Sequence, residues 1–363
     1  MGTHKLIYIR ADGNSKIASG HLMRCLSIAW ACKSIAMEVC FLVSGEEGVS
    51  LLESFLPSED SFQIRLLHNA AYDDLEQELA EVEKILRALE EKPVYLLDSY
   101  YVTKRYLAAV GSLARVAYLD DLQLFDYPVD LLINYDVILP NALLSYQAAY
   151  GSCPRLLLGA AYAPLRPQFQ NRPVAVNKQA KNLLITTGGS DPCHFCMGFL
   201  HFVMKEPSAW PFSENALRIH MVIGKMNTDR ASLFRLAEEL PFLKLHENVT
   251  DMASLMQTCD LAVSAAGTTL YELCALGIPS VSFALADNQL TAAKAFDEAG
   301  AIPWTGDIRA EREKVMNRIH TFVTSMSSSV SYPARCSAHK AMRELVDGNG
   351  ALRIAKALQA MLH

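Results

Sequence analysis

No stretch of this chain is long and apolar enough to cross a bilayer. The longest apolar region, Leu261 to Ala286, is broken by Gly267, Glu272, Gly277 and Pro279, whereas a spanning helix needs about 20 apolar residues in a row. A basic excess is missing too. With 33 Lys and Arg against 39 Asp and Glu the net charge is −6, which argues against a nucleic-acid partner and against stable docking on a membrane. The first residues run into an apolar strand pattern without the basic-then-apolar layout of a secretory leader. The nine cysteines are odd in number, and Cys25, Cys40, Cys259 and Cys274 sit inside apolar patterns. No disulfide framework is expected, and a reducing, cytoplasmic location is. Neither a G-x-x-x-x-G-K-[ST] phosphate loop nor a G-x-G-x-x-G dinucleotide fingerprint occurs. Low-complexity segments are absent.

What is present is an alternation of short apolar runs with helical patterns. Half of the residues are apolar (51%) and 20% are charged, so sizeable cores are expected and disorder is not. Strands are predicted at 5–10, 38–43, 94–98, 115–119, 130–133 and 155–158, then at 182–186, 217–223, 243–245, 260–264, 279–284 and 301–304. Helices are predicted at 20–35, 73–91, 103–112, 191–204, 228–240, 250–257, 268–276, 289–298, 307–325, 335–346 and 348–362. This alternation implies α/β domains with parallel sheets covered by helices on both faces. A proline-bearing stretch, Tyr162 to Val174, marks a junction. The expected division is a first domain over 1–165, a linker at 166–176, a second domain over 177–346 and a last helical segment over 347–363. The two halves share no strong sequence repeat, although each opens with a strand, a Gly-bearing loop and a helix.

The most informative segment is Arg10-Ala-Asp-Gly-Asn-Ser-Lys-Ile-Ala-Ser-Gly-His-Leu-Met-Arg24. It reads as the end of a buried strand, a polar loop and the first turn of a helix. Loops at the carboxyl ends of strands are where open α/β sheets bind ligands. A helix start offers unpaired N–H groups and partial positive charge, which favours a neutral imidazole at His21. A neutral imidazole can accept a proton, so His21 is a candidate general base. Asp12 and Asn14 stand ready either to orient it or to bind substrate.

A second segment, Asp260 to Pro279, runs from a strand through the small-residue loop Ser264 to Thr269 into a helix. Gly267, Thr268 and Thr269 suit phosphate oxygens, because the backbone can approach closely. Glu272, one turn on, suits a ribose diol; a tight βα turn with a solvated Glu is the plainer alternative. Gly188, Gly189 and Ser190, after a strand, are a second phosphate candidate, although Gly pairs end many strands. Asn288 and Gln289 offer donors and acceptors to a sugar or base edge, or serve as an ordinary helix start. The acidic helix 73–91, with Leu75, Leu79, Val82, Leu86 and Leu89 on one stripe, is expected to be solvated. Cys193-His-Phe-Cys196 has C-x-x-C spacing but lacks a second ligand pair. Asp120-Asp121 is the other weak metal candidate. His68, His220, His246 and His320 show no partner pattern.

Together these motifs resemble the UDP-sugar hydrolases of pseudaminic acid biosynthesis (the PseG family), relatives of the MurG-like glycosyltransferases. The resemblance runs over nearly the whole chain. It takes in Arg10 to Asn14, Gly20 to Cys25, Leu97-Asp-Ser-Tyr100, Leu119 to Leu122, Tyr162 to Arg166, Gly188 to Pro192, Ser264 to Glu272, Asp287 to Gln289 and Asp347 to Ala351. It implies a GT-B architecture, two Rossmann-like domains facing a central cleft, with the nucleotide on the C-terminal one and the last helix returning to the first. The implied reaction is hydrolysis of UDP-2,4-diacetamido-2,4,6-trideoxy-β-L-altropyranose at C1, with inversion, as a step toward flagellin glycosylation. No metal and no cofactor are implied. His21 is the implied base; Asp12, Asn14, Gly20, Tyr100, Arg166, Asn288 and Gln289 are implied substrate contacts. A MurG-like transferase and a non-catalytic nucleotide-sugar binding protein are the alternatives. Sequence leaves the oligomeric state open, and a monomer is compatible with it. One departure stands out. The family often has Gly-Thr-Gly-His where this chain has Ala18-Ser-Gly-His21, and alanine adopts positive φ only at a cost.

Overall fold

The computed structural model describes residues 6–362 except 18, 57–61, 69 and 214. The loop conformation expected to change at Ala18 therefore falls outside the described residues. The chain divides into two compact units, Met1–Pro167 with Asn349–His363, and Gln168–Gly348.

The first unit begins with β1 (Leu6–Ala11), α1 (Gly20–Ser34), β2 (Glu38–Val43), α2 (Glu46–Phe55) and β3 (Gln63–Leu66). It continues through α3 (Leu79–Arg87), β4 (Val94–Asp98), α4 (Lys104–Leu113), β5 (Arg115–Leu119), β6 (Leu131–Asn134), α5 (Leu143–Ala149) and β7 (Leu156–Leu158). All its strands are parallel, in the order β3-β2-β1-β4-β5-β6-β7. Both faces of this sheet are covered. Successive side chains alternate between faces, so Ile7, Ile9, Phe41, Val94 and Leu96 join the core under α1, while Tyr8, Leu42, Tyr95 and Leu97 join the other. Near-continuous apolar strands follow from burial on both sides.

The second unit holds β8 (Asn182–Thr186), α6 (Phe195–Lys205), β9 (Arg218–Ile223), α7 (Arg230–Glu239), β10 (Leu243–Glu247), α8 (Met252–Gln257) and β11 (Leu261–Ala265). After these come α9 (Thr269–Leu276), β12 (Ser280–Ala284), α10 (Leu290–Glu298), β13 (Trp304–Asp307), α11 (Ile308–Ser327) and α12 (Tyr332–Leu345). Its sheet is again parallel, in the order β10-β9-β8-β11-β12-β13. The segment 168–176 is docked on this unit: Gln168 accepts a 2.9 Å bond from Ala253 N, and Val174 N donates to Leu276 O at 2.9 Å. The last helix, α13 (Gly350–Ala360), packs Ile354, Ala355 and Leu358 into the α1-side core of the first unit.

Four elements differ from the sequence reading. Strand β3 and helices α2 and α5 were not expected, and the strand placed at 301–304 is β13, at Trp304–Asp307. The acidic stretch 73–91 also differs. It folds as a short 3-10 turn, Leu75–Glu78, before α3, and its Glu78 is fully buried rather than solvated. Glu78 takes both guanidinium nitrogens Nε and Nη2 of the equally buried Arg10 at 2.7 Å, and Tyr106 donates to it at 2.7 Å. His220 and His246 are paired: Nδ1 of the first lies 3.0 Å from Nε2 of the second.

Candidate active site

In each sheet the strand order reverses beside its first strand, between β1 and β4 in the first unit and between β8 and β11 in the second. Such a switch point opens a crevice at the carboxyl ends of the strands, because the flanking loops leave in opposite directions. In the first unit that position holds His21, in the first turn of α1, and Asp98, the last residue of β4. Asp98 shares the face of Val94 and Leu96, toward α1, since the three alternate along one strand.

The contact is close. His21 Nδ1 lies 2.6 Å from Asp98 Oδ1, with both side chains buried. Arg24, one helical turn after His21, donates from Nε to Asp98 Oδ2 at 2.6 Å and from Nη2 to Oδ1 at 2.5 Å. Its Nη1 reaches Asp121 at 2.7 Å and the Tyr135 hydroxyl at 2.7 Å. Burial pushes the Asp98 carboxyl up, but Arg24 and then His21 outweigh that effect and hold it well below the usual carboxylate range. Asp98 is therefore an acceptor, and the proton of the His21–Asp98 bond belongs to Nδ1. In the neutral ring that tautomer leaves Nε2 with its lone pair. A helix terminus is worth about 0.3–1 kcal/mol to a nearby charge. Two ions of opposite sign, Asp98 and Arg24, lie 2.6 and 3.2 Å from Nδ1.

A small pocket adjoins the pair, lined by Asp12, His21, Tyr72, Asp98, Ser99 and Tyr100 among others. The Tyr100 ring meets the His21 imidazole edge-on, centroids 4.5 Å apart. Burial and then Asp121 raise its phenol to about 12, so it stays a donor at neutral pH. Asp12 accepts from Ser44 N at 2.9 Å and Ser44 Oγ at 2.7 Å, and its other oxygen lies 2.6 Å from Arg10 Nη1. Asn14 turns its carbonyl inward to Lys16 N and Ile17 N at 2.8 and 3.0 Å, leaving its amide nitrogen as the group to offer. The hydrogen bond that orients His21 thus comes from Asp98. Asp98 and Arg24 lie in quoted motifs but carry no site signal of their own in the sequence, Tyr135 carries none, and Asp121 reads only as half of a weak metal candidate.

In the second unit β8 pairs with β11, Thr186 opposite Ser264. The loops Gly188–Ser190 and Gly267–Thr269 therefore leave adjacent strand ends. Gly188 has φ +81°, a conformation that side-chain-bearing residues rarely adopt. Gly224 supports this loop from the end of β9. A Cβ there would lie 2.4 Å from the carbonyl oxygens of Gly188 and Gly189, so only glycine fits. Met226 N donates to Gly189 O at 3.1 Å. Asp191 caps α6, accepting from Phe195 N and Cys196 N at 2.8 Å. Glu272 is half-buried in the first turn of α9. After β12, Asn288 is exposed, while Gln289 Oε1 accepts from Leu285 N at 2.8 Å and so holds its own loop. Arg166 lies in the first unit, ahead of the division at Pro167. Asp120 is spoken for: it accepts from Tyr127 and Tyr150 and from two backbone N–H groups. Among the described residues no group of three or more His, Cys, Asp or Glu could hold a metal ion.

Residues 183–347 match the glycosyltransferase family 28 C-terminal domain. That match contains both glycine loops and Glu272. The fold is GT-B. Acinetobacter baumannii MurG superimposes with a TM-score of 0.65 at 17% identity, over 98% of this chain and 99% of that one. Spore coat polysaccharide biosynthesis protein SpsG of Bacillus subtilis is 31% identical over 207 residues, 56% of this chain and 58% of its own length. A Helicobacter pylori protein, pseudaminic acid cytidylyltransferase and UDP-2,4-diacetamido-2,4,6-trideoxy-β-L-altropyranose hydrolase, is 29% identical over 153 residues. That alignment takes in 41% of this chain and 25% of the relative. The chain thus spans little more than half of the one curated relative and a quarter of the other.

Proposed function

We propose that this protein hydrolyses a UDP-linked diacetamido-trideoxy sugar at C1. The observation that carries the proposal is the 2.6 Å contact between His21 Nδ1 and Asp98, which in the neutral ring puts the proton on Nδ1 and leaves Nε2 to act as a base. The motifs shared with the pseudaminic acid hydrolases and the Helicobacter pylori relative support the choice of substrate. Water attacks C1 from the face opposite UDP and gives up a proton to His21 Nε2. The new C1–O bond forms as the bond to the β-phosphate oxygen breaks, so C1 inverts and the electron pair leaves with UDP. General-base help of this kind is worth roughly 10²–10⁴-fold.

In this account the second unit binds UDP and the first supplies the base. Backbone N–H groups of Gly188–Ser190 and Gly267–Thr269 meet the diphosphate as its charge grows, and Glu272 accepts from the ribose diol. Asn288 and the Gln289 amide nitrogen serve the uridine or sugar. Asp12, Asn14, Gly20, Tyr100 and Arg166 serve the sugar. The family 28 match favours a second reading, a transferase in which the same base activates an acceptor hydroxyl. Incubation with UDP-sugar in buffer alone separates the two. UDP release without acceptor supports the hydrolase, and turnover only on adding a sugar or lipid acceptor supports the transferase. Binding without turnover contradicts both.

A further inference from the structure

Two charged groups meet His21 at the same ring nitrogen. Asp98 Oδ1 is 2.6 Å from Nδ1, and Arg24 Nη2 is 3.2 Å from it. Alone, a buried carboxylate beside an imidazole favours the imidazolium, which is no base. Here the carboxylate has a second, permanent partner. Arg24 grips both oxygens of Asp98 with two nitrogens, a bidentate arrangement that a lysine does not reproduce. Arg24 is itself fixed from behind by Asp121 and Tyr135, so the fork cannot swing away.

We propose that Arg24 is a positioning residue whose charge balances the Asp98 carboxylate, so that Asp98 orients His21 without converting it to the imidazolium. This proposal rests on His21 acting as the base, and it assigns to Arg24 a task that the motif alone leaves blank. The other titratable groups near the ring are Tyr100, edge-on to it, with Asp12, Tyr72 and Tyr101 lining the same pocket. The Cys25 thiol donates to Asp98 Oδ2 at 3.5 Å, and burial first, then Asp98, keep that thiol protonated. Asp136 is raised to about 6 by burial and then by Asp121, the carboxylate that Arg24 Nη1 holds. Asp136 changes charge in the range where a histidine base also does, so kinetics alone would mix the two. The ring must be observed directly.

The test is a pH titration of the His21 ring in the intact, substrate-free protein, by NMR of histidine labelled with nitrogen-15, using His21→Ala to assign the signal. Replacing Arg24 by Met removes a positive charge at hydrogen-bond distance, and a charge that close moves a neighbour by about 1 unit or more. The expected result is a His21 midpoint about 1 unit or more higher in Arg24→Met than in the wild type. Arg24→Lys, which restores the charge, is expected to titrate close to the wild type. Should Arg24→Met fail to fold, Arg24→Gln, which still donates to Asp98, carries the same expectation as Met. An unchanged or lower midpoint in the neutral variants overturns the proposal, as does a rise in Arg24→Lys equal to that in Arg24→Met. The titration needs no substrate. Its failure is therefore distinct from failure of the base assignment, which full turnover by His21→Ala would reveal.

Discussion

His21 and Asp98 are 77 residues apart in sequence and 2.6 Å apart in space. One stands in the first turn after β1 and the other ends β4, and these two strands are neighbours, Ala11 opposite Asp98. The pair is a product of the strand order. A loop after β1 and the end of β4 converge where the sheet changes direction.

Asp98→Asn is expected to lower kcat by about 10²-fold or more, with KM little changed, because an amide can donate to Nδ1 and force the proton onto Nε2. Steady-state kinetics of UDP release checks this. A kcat within a few-fold of the wild type would mean that the contact has no part in turnover.

Glu272→Ala is expected to weaken UDP binding by about tenfold or more, in line with about 1.5–3 kcal/mol for a hydrogen bond to a charged group. Calorimetric titration with UDP reads it out. Equal affinity in the two proteins would remove Glu272 from the ribose contact.

The buried pair of Arg10 and Glu78 gives a stability prediction. Both side chains are fully buried, and removing Glu78 takes away the bidentate partner of Arg10 and leaves Asp12, 2.6 Å from Nη1, to balance its charge. Glu78→Ala is expected to cost about 3–5 kcal/mol in urea unfolding. A loss below about 1 kcal/mol would show that Arg10 finds another partner or water.

Much of the architecture is legible in the sequence for a simple reason. Strands buried on both faces appear as unbroken apolar runs, as in Leu6 to Ile9 and Val94 to Leu97. Strand β3 escaped notice because it is an edge strand whose Gln63 and Arg65 face solvent, leaving only two apolar residues in four. Helix α5 has no buried residue, so no apolar stripe announces it. The site divides in the same way. His21 is marked by its loop and helix, whereas Asp98 looks like the polar end of an apolar strand. Nothing local says which face Asp98 takes or which helix lies on that face. Glu78 misled because its neighbours are acidic and solvated, while its own partner, Arg10, lies 68 residues away.

The pair His220 and His246 gives a pH prediction. With His220 Nε2 3.2 Å from Asn182 Oδ1, its proton sits on that side, and Nδ1 accepts from His246. Burial, then His246, Lys244 and Arg218, push His220 down to about 4 from its ordinary 6.5. Between those values the unfolded chain binds more protons than the folded one, so stability falls as pH drops from about 6.5 toward about 4. Urea unfolding at pH 7 and pH 5 is expected to show this loss, and His220→Gln is expected to show a smaller one. An equal loss in both proteins would place the pH sensitivity elsewhere.

The most direct measurement is UDP release in water enriched in oxygen-18, with no acceptor present, by the wild type and by His21→Ala. The expected result is turnover by the wild type with the label on the anomeric oxygen of the sugar and none in UDP. The variant should be slower by about 10²–10⁴-fold while binding UDP as well as the wild type does. Label in UDP, turnover only with an acceptor, or undiminished release by His21→Ala would contradict water attack at C1 assisted by His21.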